Sequence, residues 1–479
     1  MSNEGSLYLP PWQHECVSVH VGGAGVRLGG SLWPLLCAEH DLAPSADHRA
    51  GQAEGRDCAT DAPEALFTLS EAGRYTPRAL LVDNEPSAID EVRKGYCRDL
   101  FPPGQLVTGK EDAANCYARA YYRQDSSGLV DMKTVMEQIR KTTEICDDLQ
   151  GFLIFHSLGG GTGAGTTSAV MEHLTAEYPR QTKITFAVFS SDRYMQSTVQ
   201  PYNCVLASHA MMPHADCTFL LDNDAVVDLC AVKGKIRHPS LDDVNSLTAQ
   251  VTSSVTLGLR SSGPFLSTLQ EFPVNLVPFP RLHFPLVSYA PVMDVEQPGE
   301  DLESPRSLTL SCLDAESHLQ KCDPRKGRYA ACCLLYRGDV TPVDVNTAIA
   351  YIKARRKFDF VDWCPTGFKI GINPKGPYAS PGQRHFGVPR SALCMLASNS
   401  AIAELWGTLT DKFDLMFAKG AFLHWYLSEG MDMEQLVDAR NDLAALEKEY
   451  GDLFASTWNG SNGSKALGHK FCPGDSTGI

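Results

Sequence analysis

Five glycines lie within the seven residues from Gly159 to Gly165, in the segment FLIFHSLGGGTGAG. The apolar run from Phe152 to Phe155 before them is typical of a strand, and the helix-like segment TTSAVMEHLTAEY follows them. Glycines between a strand and a helix let backbone N–H groups surround an anion, and the helix N-terminus adds partial positive charge. A tight turn alone would need only one or two glycines. The run therefore favours a phosphate-binding loop, to which Ser157 and Thr162 add hydroxyls.

Two other phosphate-binding loops fit the sequence less well. A Rossmann turn requires G-x-G-x-x-G, and Gly159, Gly161 and Ala164 match only its loosest form. A P-loop requires G-x-x-x-x-G-K-[ST]. The segment GQLVTGKE, which begins at Gly104, has Glu111 where the metal-binding hydroxyl belongs.

Two carboxylates stand at a predicted junction between a strand and a helix. The segment ALLVDNEPSAIDEV has an apolar strand that ends at Asp83, and Glu85 follows just before the helix. Carboxylates at this edge of a sheet, beside a phosphate loop, are candidate partners for Mg²⁺ bound through water. Helix capping explains the same two residues equally well.

The elements that position these residues alternate between strand and helix. Four or five βα units in about 210 residues predict an α/β fold with a mostly parallel sheet, whose ligands bind at the carboxyl ends of the strands. The long helical stretch Leu241–Leu259 is placed to join a second, strand-rich α/β domain with a mixed sheet, and two helices separated by Gly430 follow as a C-terminal helical hairpin. The predicted domain organisation is an extension at 1–13, domains at 14–223 and 224–400, C-terminal helices at 401–457 and a disordered tail at 458–479.

Composition limits the classes of function. Hydrophobic residues make up 43% and charged residues 21% of the 479 residues, which is typical of a globular protein, and no apolar run is long enough to predict a transmembrane helix. The formal net charge of −15 argues against nucleic-acid binding and favours basic protein partners. The N-terminus lacks the basic start and apolar core of a secretory signal, so we expect a cytoplasmic protein whose 16 cysteines are free thiols.

Several long segments resemble the tubulins. The run SLGGGTGAG is similar to the tubulin signature loop, and four other blocks also match: KEDAANCYARAYY, CDPRKGRYAACCLLYRGDV, VDWCPTGFKIGIN and FDLMFAKGAFLHWYLSEGMD. The likeness extends from about Glu15 to Ser456 and is strongest to α-tubulin. It implies that domain 14–223 binds GTP with Mg²⁺, and that the chain pairs with β-tubulin in heterodimers that build microtubules.

The resemblance also implies which residues contact the nucleotide. The phosphates are expected on Ser157, Gly159, Gly160, Gly161, Thr162 and Gly163, with Asp83 and Glu85 near Mg²⁺. Asp112, Ala113, Ala114 and Asn115 are expected to close over the γ-phosphate. Gln196 is expected at the ribose, and Asn223 and Asn245 are expected to recognise guanine, since an Asn amide offers both a donor and an acceptor.

Glu271 is the one catalytic residue that the resemblance implies. It matches the α-tubulin glutamate that reaches the nucleotide of the neighbouring β-tubulin, where a carboxylate can orient or deprotonate the attacking water. Any GTP hydrolysis would then occur only in trans, on the partner's nucleotide. Without the family, Glu271 would be interpreted as an ordinary exposed carboxylate.

The sequence departs from the family around this machinery. Gly23 replaces a glutamine near the phosphates, Gln200 a glutamate near the ribose, and Leu241 the tyrosine that stacks on guanine. Leu266 and Thr268 replace two polar residues beside Glu271, so we expect the Glu271 loop to be less well fixed. The tail carries Lys465, Lys470 and Asp475 instead of a glutamate-rich run, so it does not attract basic microtubule-associated proteins by charge.

The sequence therefore predicts a divergent α-tubulin, a structural subunit of cytoplasmic microtubules. The first alternative is a non-polymerising tubulin paralogue that binds tubulin or its chaperones. A self-contained GTPase like the bacterial cell-division relatives is disfavoured because the N-x-D-x-x-E pattern is lost. A Rossmann oxidoreductase is disfavoured by the glycine spacing.

Overall fold

The computed structural model describes residues 14–42, 62–70, 73–123, 128–189, 193, 195, 197–261, 266–293, 304–354, 359–363, 367–379 and 385–454. The predicted extension at 1–13, the predicted tail at 458–479 and the ribose candidate Gln196 lie outside the described residues.

The first part of the chain alternates strands and helices, as predicted. Its strands are β1 Glu15–Val21, β2 Phe67–Leu69, β3 Tyr75–Pro77, β4 Ala79–Asp83, β5 Leu106–Thr108, β6 Leu149–Ser157, β7 Thr182–Phe189 and β8 Cys217–Asp222. Its helices are α1 Gly22–Glu39, α2 Pro86–Lys94, α3 Tyr117–Tyr122, α4 Met132–Glu144, α5 Thr167–Glu177, α6 Gln200–Met211 and α7 Asn223–Val232.

Six of these strands form one parallel sheet in the order β5-β4-β1-β6-β7-β8. Every residue of β1, β4 and β8 is buried, as expected for parallel strands covered by helices on both faces. The chain places β4 on one side of β1 and β6 on the other, so β1 lies where the strand order reverses. Ligands bind at such switch points, outside the carboxyl ends of the strands. The predicted parallel sheet is confirmed.

The remainder is a second, mixed sheet with helices. The long helix α8 Leu241–Arg260 leads to it, and its strands are ordered β11-β10-β12-β9, with β10 parallel to β11 and antiparallel to β12. Its strands are β9 Leu286–Ala290, β10 Tyr329–Gly338, β11 Phe368–Asn373 and β12 Ser391–Asn399. The remaining helices are α9 Glu271–Leu276, α10 Pro305–Cys312, α11 Pro342–Ala354, α12 Ala403–Phe417, α13 Leu423–Ser428 and α14 Met433–Phe454.

The C-terminal helices differ from the predicted pair. The short helix α13 stands between α12 and α14, and Gly430, at φ +100°, makes the turn into α14. Helix α13 is buried through Leu423 and Tyr426, whereas Trp425 is 58% exposed. Two buried side chains in six residues are too few to give a helical period in the sequence.

A buried charge network joins α1, α8 and the second sheet. The Glu39 carboxylate pairs with Nη2 of Arg260 at 2.5 Å and with Nη2 of Arg337 at 2.9 Å, and it accepts a hydrogen bond from Ser253 Oγ at 2.6 Å. All three charged side chains are at most 2% exposed. Burial alone would raise the pKa of Glu39, but the two guanidinium groups outweigh it and hold that pKa well below its usual range. Glu39 is therefore a buried anion.

Four buried histidines make the fold sensitive to acid. Burial lowers the pKa of His20 to about 3 and the pKa values of His156, His283 and His318 to about 4. In the unfolded chain a histidine titrates near 6.5, so between about pH 6.5 and 4 the unfolded state binds more protons than the folded state. The free energy of unfolding must therefore fall as the pH falls through this window.

We expect His318→Leu to flatten this acid dependence. Neither ring nitrogen of His318 has a hydrogen-bond partner among the described residues, so the substitution removes one titrating group at little cost in hydrogen bonds. The slope of unfolding free energy against pH should fall by up to about 1.4 kcal/mol per pH unit. Denaturant unfolding at several pH values between 4 and 7 measures both slopes, and identical slopes would contradict the assignment.

Among the residues that the structure describes, no helix combines the length and the apolar character needed to span a lipid bilayer.

Candidate functional site

A cavity of about 810 Å³ opens at the carboxyl ends of β1, β4, β6 and β8. It is bordered by most of the predicted contact residues: Asp83, Glu85, Asp112, Asn115, Ser157, Gly159, Gly160, Gly161, Thr162, Gly163, Asn223 and Asn245. Ala113 and Ala114, from the same loop as Asp112, do not line it, and neither does Glu271. The topology therefore gathers into one pocket residues that are up to 162 positions apart in the sequence.

The glycine run is partly helical. Residues Thr162–Thr166 form a π-helical turn that continues directly into α5, so only the first part of the run is a loop. A Cβ on Gly163 would lie 2.5 Å from Ser157 Oγ, and one on Gly161 would lie 2.8 Å from the backbone nitrogen of Cys116. Gly22 has φ +74° and approaches Gly163 closely. Glycine is thus required because three backbone segments meet here.

Helix N-termini point to an anionic ligand at this place. Helix α1 begins at Gly22, and the turn from Thr162 leads into α5; neither start has a side-chain cap or an acidic residue in its first turn. Their first N–H groups therefore lack the usual capping acceptors, and the helix dipoles favour negative charge. Phosphate oxygens can supply the hydrogen-bond acceptors and the negative charge that both helix starts lack.

Two buried asparagines, missed by the sequence analysis, hold the loops. Asn203 in α6 donates from Nδ2 to the carbonyls of Asn115 at 2.7 Å and Gly159 at 2.9 Å. Its Oδ1 accepts from the Tyr117 N–H at 3.2 Å and the Tyr426 hydroxyl at 2.6 Å. One amide thus fixes the Asp112–Asn115 loop against the glycine loop.

Asn84 ties the end of β4 to the glycine turn. Its Nδ2 donates to Thr162 Oγ1 at 3.0 Å, and its Oδ1 accepts from the Val130 N–H at 2.8 Å. The side chain is almost fully buried, so these bonds are shielded from water. In the sequence only its place between Asp83 and Glu85 hints at this role.

We expect Asn203→Leu to loosen the site. Leucine is close to asparagine in size but leaves four backbone and hydroxyl groups without their partner, a loss on the order of 2 kcal/mol of stability. Nucleotide should also dissociate faster, because the loop from Asp112 to Asn115 loses its link to Gly159. Thermal unfolding and nucleotide release rates of the variant measure both effects. An unchanged release rate would show that the amide matters for stability alone.

The amides predicted to recognise the base make no side-chain hydrogen bonds to the part of the chain that the structure describes. Asn223 is the first residue of α7 and Asn245 lies in the second turn of α8, and neither side chain makes a hydrogen bond to the described residues. Leu241, at the start of α8, also lines the cavity and is 45% exposed. The unpaired amides can therefore bind a ligand's polar edge, while Leu241 offers only an aliphatic surface.

The carboxylates fit a magnesium ion that a ligand helps to hold. Burial, helped by the nearby carboxylates Glu85 and Asp112, raises the pKa of Asp83 to about 7. Among the described residues no group of three or more His, Cys, Asp or Glu side chains is placed to hold a metal alone. Mg²⁺ in nucleotide sites is held by one or two carboxylates, phosphate oxygens and water, so Asp83 and Glu85 suit it. Such an ion would neutralise charge on the phosphates.

One face of α1 also borders the cavity, and the sequence analysis missed its single charged residue. Gly23, Arg27, Gly30 and Ser31 follow helical spacing along this face. Arg27 is the one cation among the described residues that line the cavity, against five carboxylates. The signal in the sequence is its position four residues after Gly23, on the same side of the helix.

Glu271 lies near the amino ends of the strands of the six-stranded sheet, opposite the carboxyl ends where the cavity opens. The Leu269 N–H, two residues before Glu271, donates to Gln150 Oε1 at 2.9 Å, and Gln150 stands at the beginning of β6. The glycine loop follows the end of β6, about 23 Å further along at the usual rise per strand residue. Glu271 is therefore far from the cavity of its own chain.

Exposed apolar side chains follow Glu271 in the chain. Val274, on the same short helix, is 80% exposed, and Phe279 packs edge-on against the partly exposed Trp363 with ring centroids 5.8 Å apart. A contact with another protein would remove these apolar side chains from water.

Two known protein domains match the two main parts of this fold. Residues 15–231 match the GTPase domain of the Tubulin/FtsZ family, and residues 280–411 match the Tubulin C-terminal domain. The first match covers the parallel sheet and the glycine loop; Leu241, Asn245 and Glu271 lie between the two matches. Together the matches span more than two thirds of the chain. The chain therefore belongs to the tubulin/FtsZ family of GTP-binding proteins.

Proposed function

We propose that this chain is a divergent α-tubulin, which pairs with β-tubulin, builds microtubules and supplies Glu271 to the hydrolysis of its neighbour's GTP. The separation of the cavity from Glu271, at opposite edges of one sheet, is the observation that carries the proposal. In a head-to-tail polymer the Glu271 edge of one subunit meets the cavity edge of the next. An active site is then completed across the contact, and the exposed Val274 is buried there.

The environment of Glu271 suits a residue that orients water. Its Oε2 accepts from the Leu266 N–H at 2.8 Å and its Oε1 from Ser267 Oγ at 3.0 Å. The replacement of two polar family residues by Leu266 and Thr268 predicts a less well fixed loop. These two hydrogen bonds hold the Glu271 carboxylate more firmly than that prediction. Each oxygen keeps a second acceptor site, which can align a water for attack on a γ-phosphate.

The chain's own GTP would serve a structural role. Its cavity lies at the edge expected to contact β-tubulin within the heterodimer, and Glu271, the residue proposed to activate water, does not line it. We propose that this nucleotide is bound with Mg²⁺ near Asp83 and Glu85 and is not turned over. The proposed location is the cytoplasmic microtubule.

Nucleotide analysis of the purified heterodimer tests the proposal. The chain is coexpressed with β-tubulin, and the nucleotides released on denaturation are separated and counted. We expect unhydrolysed GTP on this chain, in addition to the exchangeable nucleotide of β-tubulin. Pure heterodimer that contains only the β-bound nucleotide would overturn the GTP-binding part of the proposal.

A non-polymerising paralogue is the second candidate function. The aliphatic Leu241 at the base end of the cavity and the weakly charged tail favour it, since both depart from a standard polymer subunit. Co-sedimentation of the heterodimer with assembled microtubules separates the two functions. An α-tubulin enters the pellet in proportion to β-tubulin, whereas a paralogue that only binds tubulin or its chaperones stays in the supernatant.

A further inference from the structure

Helices α1 and α8 run side by side in the same direction. Near their C-terminal halves, Ser253 Oγ of α8 donates to Glu39 of α1 at 2.6 Å, and Arg260 also pairs with Glu39. Their N-terminal halves both border the cavity. Twelve residues back along each helix from the Glu39–Ser253 contact stand Arg27 and Leu241. Because both helices rise equally per residue, Arg27 lies at about the level of Leu241.

The Arg27 side chain is anchored by one hydrogen bond and keeps further donors for a ligand. Its Nε donates to Glu91 Oε2 of α2 at 3.3 Å, and the side chain remains 46% exposed. Its two terminal nitrogens have no hydrogen-bond partner within the part of the chain that the structure describes. Glu91 thus anchors the middle of the side chain and leaves the planar end available to a ligand.

The position of Arg27 along α1 determines which part of a bound nucleotide it can contact. The phosphates belong at the glycine turn, at the carboxyl end of β6, whereas Leu241 and Asn245 of α8 border the part of the cavity expected to hold the base. At the level of Leu241, and one helical turn beyond Gly23 at the phosphate end of α1, Arg27 is placed to meet the base and not the phosphates. Guanine carries two adjacent acceptors, N7 and O6, and the arginine fork matches this pair with two hydrogen bonds.

We propose that Arg27 is a specificity-determining residue that donates to N7 and O6 of the bound guanine, while Asn223 and Asn245 take the opposite edge of the base. This inference rests on the proposed GTP binding. It gives the cavity a polar base contact at the level where Leu241 provides no aromatic stacking. It also disfavours adenine, whose amino group at position 6 is a donor facing a donor.

The test compares GTP with 7-deaza-GTP, which lacks the N7 acceptor and keeps every other polar group of the base. Heterodimer stripped of the nucleotide on this chain is titrated with each nucleotide, and the ratio of the two dissociation constants is measured. We expect 7-deaza-GTP to bind roughly tenfold more weakly to the wild type, as for the loss of a good base contact. In Arg27→Met, which keeps an unbranched side chain but removes every donor, the ratio should fall to about one.

A matched variant separates base recognition from a structural role. Glu91→Gln removes the carboxylate that anchors Arg27 but leaves the guanidinium, so the ratio should stay well above that of Arg27→Met. If Arg27→Met weakens both nucleotides equally, Arg27 serves the phosphates or the fold and the inference is wrong. If the wild type binds GTP but does not distinguish 7-deaza-GTP, the inference is again wrong while the proposed function stands. Failure to bind GTP at all would instead refute the proposed function.

Discussion

Glu39→Leu is expected to destabilise the chain by about 3–5 kcal/mol, because it leaves two buried arginines without their common partner. Arg260 and Arg337 are at most 2% exposed, so water cannot replace the lost carboxylate. Both keep hydrogen bonds to neutral oxygens, among them the Ser253 carbonyl and the Gly376 carbonyl, but these do not balance two positive charges. The midpoint of denaturant unfolding, compared with the wild type, measures the effect.

A triple variant is the matched control for Glu39→Leu. Replacing Glu39, Arg260 and Arg337 together by Leu, Met and Met removes all three charges and keeps similar side-chain volumes. Buried charge networks replaced as a unit in this way are often neutral in stability. We therefore expect the triple variant to be more stable than Glu39→Leu alone. If it is less stable, packing and not uncompensated charge explains the loss.

Glu271→Ala is expected to slow GTP hydrolysis in copolymers with β-tubulin by on the order of 10²-fold, the usual contribution of a positioned acid–base group. The expectation rests on the proposed head-to-tail contact, in which Glu271 completes the neighbour's site. The measurement is phosphate release per polymerised dimer, with the same β-tubulin for both forms. GTP should accumulate in the polymer, which should then disassemble more slowly.

Glu271→Gln distinguishes chemistry from loop structure. Glutamine keeps an acceptor oxygen for the Leu266 N–H or the Ser267 hydroxyl, so the loop should hold its shape while the carboxylate charge is lost. Slow hydrolysis in both variants assigns the effect to the carboxylate. Normal hydrolysis in Glu271→Gln would make Glu271 a loop-fixing residue, and normal hydrolysis in Glu271→Ala would make it an ordinary surface carboxylate.

Local sequence patterns predicted which residues gather at the carboxyl ends of the parallel strands. The glycine run and the carboxylates Asp83 and Glu85 follow strands, and parallel strands bring their carboxyl ends to one edge whatever the details of packing. Asn223 and Asn245 were expected from the resemblance to the tubulins and not from local pattern; they line the cavity because each stands near the start of a helix.

The residues that hold the site together could not be found in this way. Asn203 contacts Asn115, Gly159 and Tyr426, which come from three distant parts of the chain, so no spacing within α6 reveals it. Arg27 lies on a helix whose faces are nearly all buried, and periodicity cannot separate a face that lines a cavity from one that packs in the core. Both roles depend on tertiary contacts.

The Glu39 network has a consequence for biosynthesis. Arg337 follows Glu39 by 298 residues, and the ribosome adds about 5–20 residues per second, so roughly 15–60 s separate the synthesis of the two partners. During that interval Glu39 cannot be buried with both of its arginine partners, because Arg337 has not yet been made. Helix α1 therefore cannot reach its final environment until β10 has been made. Folding of the nascent chain is in this respect a late, whole-chain event, and the apolar surface of the emerging domain stays exposed for longer.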